Sequence, residues 1–199
     1  MAQLLSSKSA ETRKTDGRLL RSKRSRRLII DAMIDLIGEG FLIPTAQQTA
    51  LRADVGIRSV FRHFNDMDDI FETANALIFA ENKMLFTGGD RLGTIDKRAI
   101  KATQQFSNGY SAVQNFMLSG KIRMWNTPVI AANYTLNQMR LRKELDDWFP
   151  EIQSMPQLDK VYVYSLMSFD FWYQLHQAQA LSQDNCIKLV AKQLQKALS

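Results

Sequence analysis

Five residues within a span of six, Arg58, Ser59, Phe61, Arg62 and His63, bring together charge, hydrogen-bonding capacity and aromatic surface. An arginine guanidinium can grip guanine O6 and N7 with two hydrogen bonds, and a serine hydroxyl donates or accepts as its neighbour requires. Phe61 and His63 suit contacts with a sugar–phosphate backbone or a thymine methyl. Upstream, Thr45 stands where a helix would begin, so its hydroxyl and the unpaired backbone N–H groups behind it are suited to a phosphate. The chemistry on offer is recognition of a nucleic acid.

Charge distribution points the same way. The chain of 199 residues carries 26 Lys or Arg and 20 Asp or Glu, a formal net charge of +6. Residues 1–64 hold 12 of the basic and 6 of the acidic residues, and residues 65–199 hold 14 of each. All the excess positive charge therefore lies in the first third, the footprint of a segment that meets a polyanion. Nucleic acid is the first candidate, because neutralising phosphates releases counterions. An anionic membrane is the second. Arg24, Arg26 and Arg27 belong to a basic cluster, with Arg21 and Lys23, at the start of a predicted helix. Positive charge there opposes the helix dipole, a cost that an anionic partner would offset. A solvated charge run at a domain edge is the competing reading.

The elements that must position these residues are helical. Only 4 Pro and 9 Gly punctuate the chain, and apolar residues recur at helical spacing. A helix is expected from Ser22 to about Gly40, with Ile29, Met33, Leu36 and Ile37 inward. Residues 1–20 read as a flexible basic arm. Thr45 and Gln48 form a capping-box pattern ahead of a short helix ending near Ala53. Asp54, Val55 and Gly56 make a break, and Gly56 can cap a third helix from Ile57 to Phe64. Asp66 can cap a fourth. Two short helices joined by a tight turn describe a helix-turn-helix, whose second helix enters the major groove.

The stretch "TAQQTALRADVGIRSVFRHFNDMDDIF", residues 45–71, resembles the TetR-type transcriptional regulators. Thr45, Ala50, Ala53, Val55, Phe61, His63, Phe64 and Ile70 stand at matching places, and the preceding "RRLIIDAMIDLIGEGF" is similar to the family's first helix. There are departures: Thr49 replaces an apolar residue, Asp54 a turn glycine, Gly56 a serine cap, Phe61 a tyrosine and Met67 a lysine. The last two losses weaken the grip on phosphate, which the basic run at 21–27 is expected to restore. The spacing along the chain predicts an all-α protein of about nine helices, and the resemblance agrees with it. Its parts would be an arm (1–20), a helix-turn-helix DNA-binding domain (21–66) and a helical effector-binding and dimerisation domain (67–199). The resemblance further implies a homodimer through the last two helices, reading a pseudo-palindromic double-stranded operator. A small-molecule inducer would release it from DNA.

In the rest of the chain, helices are expected over about Thr94–Leu118, a short piece at Lys121–Asn126, Thr127–Trp148, Leu158–Ala180 and Ser182–Leu198. Ile100, Phe106, Val113, Phe116 and Met117 are expected core. Phe106, Tyr110, Trp125, Tyr134, Asp170 and Tyr173 are candidate walls of an effector pocket for an apolar or aromatic compound. Ordinary core or dimer packing is the favoured alternative for the aromatic stretch around Asp170. Two His and one Cys make a metal site improbable, no cofactor is expected, and Cys186 reads as a packing residue. No nucleophile–base pair or phosphate loop marks an enzyme. With no long apolar run, neither a membrane span nor a signal peptide is expected, which implies a cytoplasmic protein. A DNA-binding protein without an inducer, governed by a protein partner or organising the chromosome, remains the alternative.

Overall fold

The computed structural model describes the backbone of residues 2–199 and the side chains from residue 17 onward. Among the described residues it contains nine α-helices and no strand. The chain divides into two compact units, Met1–Ile78 and Phe79–Ser199. The division falls within the fourth helix, later than the boundary at 66 expected from sequence.

In the N-terminal unit, α1 (Ala2–Gly38) is followed by α2 (Ala46–Arg52), α3 (Ile57–His63) and α4 (Met67–Glu81). Residues 2–20, expected as a flexible arm, are the first part of α1. The segment has no proline and only Gly17 within it, so nothing in its backbone chemistry stops the helix earlier. As expected, Ile29, Met33, Leu36 and Ile37 are buried. Each such side chain contributes roughly 1.5–3 kcal/mol of burial. Helix α1 ends where Gly40 takes a φ of +99°, with its N–H on Ile37 O and that of Phe41 on Leu36 O. This paired closure satisfies two terminal carbonyls and requires a residue free to adopt the left-handed region. Asp66 caps α4 as expected, accepting from Asp69 N at 2.8 Å.

In the C-terminal unit, α5 (Ile95–Arg123) is buried at regular intervals along its length and packs most extensively against α9 (Gln183–Leu198). Between them in sequence come α6 (Pro128–Trp148), α7 (Gln157–Leu166) and α8 (Phe169–Tyr173). Ile100 is 53% exposed, contrary to expectation. The buried stripe runs through Ala99, Ala102, Phe106, Tyr110, Val113 and Phe116, and Ile100 lies one position off that line. The separate piece expected at 121–126 is instead the end of α5, which continues to Arg123.

The helix expected over Leu158–Ala180 is broken. Ser168 is extended at φ −75° and ψ 154°, and its hydroxyl accepts from Phe171 N. An N-cap thus sits in the middle of an apolar run. A single π-helical turn, Gln174–Ala178, follows α8. The break turns Phe169 and Trp172 onto Tyr110, with ring centroids 5.6 and 5.9 Å away.

Arg98 is 8% exposed and ties three segments together. Its guanidinium donates to Gly93 O (3.2 Å) and Trp148 O (2.8 Å), pairs with Glu151, and lies over the Phe149 ring. A cation at the last carbonyls of α6 also complements the helix dipole. Replacing Arg98 with Ala leaves the Trp148 carbonyl without that partner and should cost ~2–3 kcal/mol in denaturant unfolding. The Arg98 hydrogen bond holds the Glu151 carboxyl below the usual glutamate range. Stability from this pair is therefore fully present above that range and is lost as pH falls through the depressed value. Acid melts of wild type and Glu151→Gln should converge at low pH.

Candidate nucleic-acid interface

Helix α3 is held from beneath by Val60, fully buried, and by Phe64, 3% exposed, at its C-cap. With that side fixed inward, Ile57, Arg58, Phe61 and Arg62 face solvent. They form two i,i+4 pairs side by side, one apolar and one cationic. The Arg62 guanidinium donates to Ser59 Oγ at 3.1 Å, which orders two of the expected base-reading groups relative to each other.

The turn feeding α3 explains its aim. Val55 N–H bonds Ala50 O and Asp54 N–H bonds Leu51 O, closing α2 with the same paired pattern that ends α1. Asp54 occupies the left-handed position at φ +51°, where a glycine would be unstrained. Aspartate tolerates that region better than most residues. Thr49 is fully buried, and its hydroxyl donates to Thr45 O at 2.9 Å, so a polar residue is accommodated at an apolar position. Gly56 takes the N-cap position of α3 in an extended conformation. The capping box of α2 is formed: Thr45 Oγ1 accepts from Gln48 N, and Gln48 Oε1 accepts from Thr45 N. The Thr45 hydroxyl expected to meet a phosphate is thus already engaged within the box, although the residue is exposed.

The basic residues of α1 divide by environment. Arg24 is exposed. Arg26 lies over the Phe64 ring at 4.6 Å, so its charge sits at the end of α3. Arg27 pairs with Asp31 at 2.8 Å and is partly neutralised. Sequence reasoning missed two contributors. Ile57, 46% exposed, adds apolar surface beside Phe61. Arg52 makes a two-pronged contact with Glu39 (2.8 and 2.7 Å), joining the C-terminal ends of α1 and α2. Ile57 was detectable as an apolar residue at the first turn of a short helix. The Arg52–Glu39 pair depends on helix crossing and has no local signal.

His63 is half-buried, and its Nε2 is covered without a hydrogen-bond partner. Burial, followed by the nearby charges of Arg62 and Arg26, pushes its pKa below the usual 6.5. The ring is therefore neutral at pH 7 and anchors the end of α3 more than it reaches outward.

In the C-terminal unit, a cavity of about 660 Å³ is bordered by Tyr110, Tyr134, Gln138, Arg142, Tyr164 and Asp170, among others. Three of the six expected pocket residues, Tyr110, Tyr134 and Asp170, line it. Phe106 packs behind Tyr110 at 6.0 Å, Tyr173 lies tilted against Phe169 at 5.6 Å, and Trp125 is 82% exposed, so these three do not. The Tyr110 hydroxyl donates to Met167 O at 2.6 Å, and burial drives its pKa upward. Tyr164 donates to Asp146 at 2.7 Å, and burial and that carboxylate push its pKa up to about 12. Arg142 lies over the Tyr164 ring, and Lys121 pairs with Asp170. The lining offers aromatic faces, amides, hydroxyls, one guanidinium and the Asp170 carboxylate.

Two expectations follow. His63 should titrate below 6.5 by NMR, and folding stability should fall as pH drops from 6.5 through that lower value, because the unfolded chain takes up the proton first. His63→Gln should remove that slope. Asp54→Asn keeps a residue suited to the left-handed turn and deletes an exposed negative charge. It should leave stability within about 0.5 kcal/mol and tighten binding to duplex DNA in a salt-dependent way, measured by fluorescence anisotropy.

No protein-family model and no curated protein matches the sequence. The fold is similar to the crystal structure of a transcriptional regulator from Rhodococcus sp. Rha1, with a TM-score of 0.66 over 89% of this chain and 95% of that one. Sequence identity is 16%, so the likeness is one of fold.

Proposed function

We propose that this chain is a TetR-type transcriptional regulator that binds a pseudo-palindromic operator in double-stranded DNA as a homodimer and is released by a small apolar or aromatic ligand. The observation that carries the reading is the outward face of α3, where Arg58 and Arg62 are exposed above a buried Val60–Phe64 anchor, with the half-buried Ser59 hydroxyl bonded to Arg62. Two guanidiniums suit guanine edges, and the adjacent Ile57–Phe61 pair suits thymine methyls. One helix of this length reads few base pairs, which is the reason a second copy is invoked. The phosphate grip falls to Arg24 and Arg26, with Arg27 engaged by Asp31.

The second reading is a DNA-binding protein with no small-molecule effector, controlled by a protein partner or organising the chromosome. The cavity of about 660 Å³ favours the ligand-responsive reading, since it falls in the range of small-molecule sites. A ligand there would act only through its unequal affinity for the DNA-competent and released states.

Selection of bound sequences from a random duplex pool should return a palindromic consensus containing G and T in each half-site. Recovery of no preferred sequence would count against the proposal. Arg62→Ala should weaken binding to the selected site by roughly 5–150-fold per half-site while the fold stays intact by circular dichroism. Replacing Arg24 and Arg26 together with Gln should weaken binding to every sequence and reduce the slope of log affinity against log salt by ~2 for each subunit.

A further inference from the structure

Two charged residues border the cavity in the C-terminal unit, Arg142 and Asp170, and they differ in how far each is already satisfied. Asp170 is paired with Lys121. Arg142 forms no ion pair among the described residues, and its guanidinium lies over the Tyr164 ring, 5.6 Å from the centroid. Asp146, one turn further along α6, is engaged by the Tyr164 hydroxyl at 2.7 Å. The charge left for a ligand is therefore positive, on a planar fork whose position an aromatic contact already steadies.

Helix α6 supplies the rest of the polar wall. Tyr134, Gln138 and Arg142 follow one another at four-residue spacing, so they share one side of the helix over a length of about 12 Å. Among the described residues, neither the Tyr134 hydroxyl nor the Gln138 amide forms a hydrogen bond within the chain. Burial pushes the Tyr134 pKa up, so its hydroxyl stays a neutral donor at pH 7. Helices α7 and α8 contribute apolar and aromatic surface through Val161, Tyr164 and Phe171.

We propose that the cavity takes an aromatic carboxylic acid, with its rings between α6 and the α7–α8 wall and its carboxylate on Arg142. The assignment rests on the ligand-responsive reading and narrows it from an apolar or aromatic compound to an anionic one. Arg142 is exposed, so the carboxylate keeps part of its hydration and avoids the cost of full burial. The guanidinium fork matches the two oxygens of the acid. The rings supply affinity through Tyr164 and Phe171, and the acid supplies the choice among ligands. Gln138 and Tyr134 are placed to bond a hydroxyl or carbonyl farther along the ring system. An aromatic amine is the competing class, because Asp170 also borders the cavity, but binding there would have to displace Lys121.

The test uses the full-length chain with naphthalene and biphenyl probes in matched carboxylate, carboxamide and methylamine forms. Titration calorimetry without DNA reads binding. The carboxylates should bind roughly tenfold more tightly than the carboxamides, and the methylamines more weakly than either. Arg142→Gln should lower carboxylate affinity roughly tenfold and leave carboxamide affinity within about twofold. Arg142→Lys should keep part of the preference, since it retains the charge and loses the fork. Lys143→Gln removes an exposed cation that is outside the lining, and should change neither affinity. Added salt should weaken the carboxylates alone. The wild-type ranking and its salt dependence decide the matter if Arg142→Gln fails to fold. Equal binding of carboxylate and carboxamide, preference for the methylamines, binding of no probe, or a carboxylate preference that survives Arg142→Gln would overturn the proposal. Operator release is read separately, by anisotropy of a labelled duplex. Arg142-dependent carboxylate binding without release upholds the ligand class and counts against the regulatory reading.

Discussion

The burial of Val60 and Phe64 is the constraint on which the N-terminal unit depends. A helix of seven residues has too little intrinsic stability to hold an orientation by itself. These two side chains supply it, and the turn at Ala50–Val55 sets the angle at which they enter the core. Every polar group on the far side of α3 inherits its direction from that pair. The Arg26 stack on Phe64 reinforces the same point from α1 and brings positive charge to the end of the helix without requiring an acidic partner. The Arg52–Glu39 contact clamps the neighbouring ends of α1 and α2. Exposed as it is, it fixes geometry more than it adds stability.

The C-terminal unit is organised around a different kind of anchor. Tyr110 is 1% exposed and touches Phe86, Phe106, Phe169 and Trp172 through its ring. Its hydroxyl is satisfied by the Met167 carbonyl, just ahead of the Ser168 break. The kink after α7 therefore serves the aromatic cluster: an unbroken helix would carry Phe169 and Trp172 along a different line. Gly109 permits the same cluster, since a side-chain carbon there would meet the Phe86 ring at 2.6 Å. Trp172 closes the arrangement by donating from its indole nitrogen to Ser107 at 3.0 Å.

What could be read from sequence follows a physical division. The capping box at Thr45–Gln48, the cap at Asp66, the stop at Gly40 and the inward face of α1 are local, decided by residues within one or two turns, and all were legible. The outward aim of Arg58 and Arg62 was legible because a short motif fixes which positions of α3 are buried. The break at Ser168 was not, because an apolar run with helical spacing gives no hint that a hydroxyl will cap in its midst. Ile100 failed for a related reason: apolar character marks a residue as able to be buried, but the stripe on α5 is set by which neighbours cross it. Of the expected pocket residues, Tyr110, Tyr134 and Asp170 border the cavity, while Phe106 and Tyr173 support the aromatic cluster. That separation depends on helix crossings that no window of sequence contains.

Cys186 is the only thiol in the chain, and it is 1% exposed on the side of α9 that faces inward. Its sulfur lies 3.8 Å from the Leu181 carbonyl, and burial raises its pKa, so the thiolate that oxidants and alkylating agents attack is scarce as well as inaccessible. In the folded protein this thiol is accordingly shielded from oxidation. Labelling of that sulfur requires α9 to lift away, so the rate of modification serves as an intrinsic clock for the opening of the C-terminal helix.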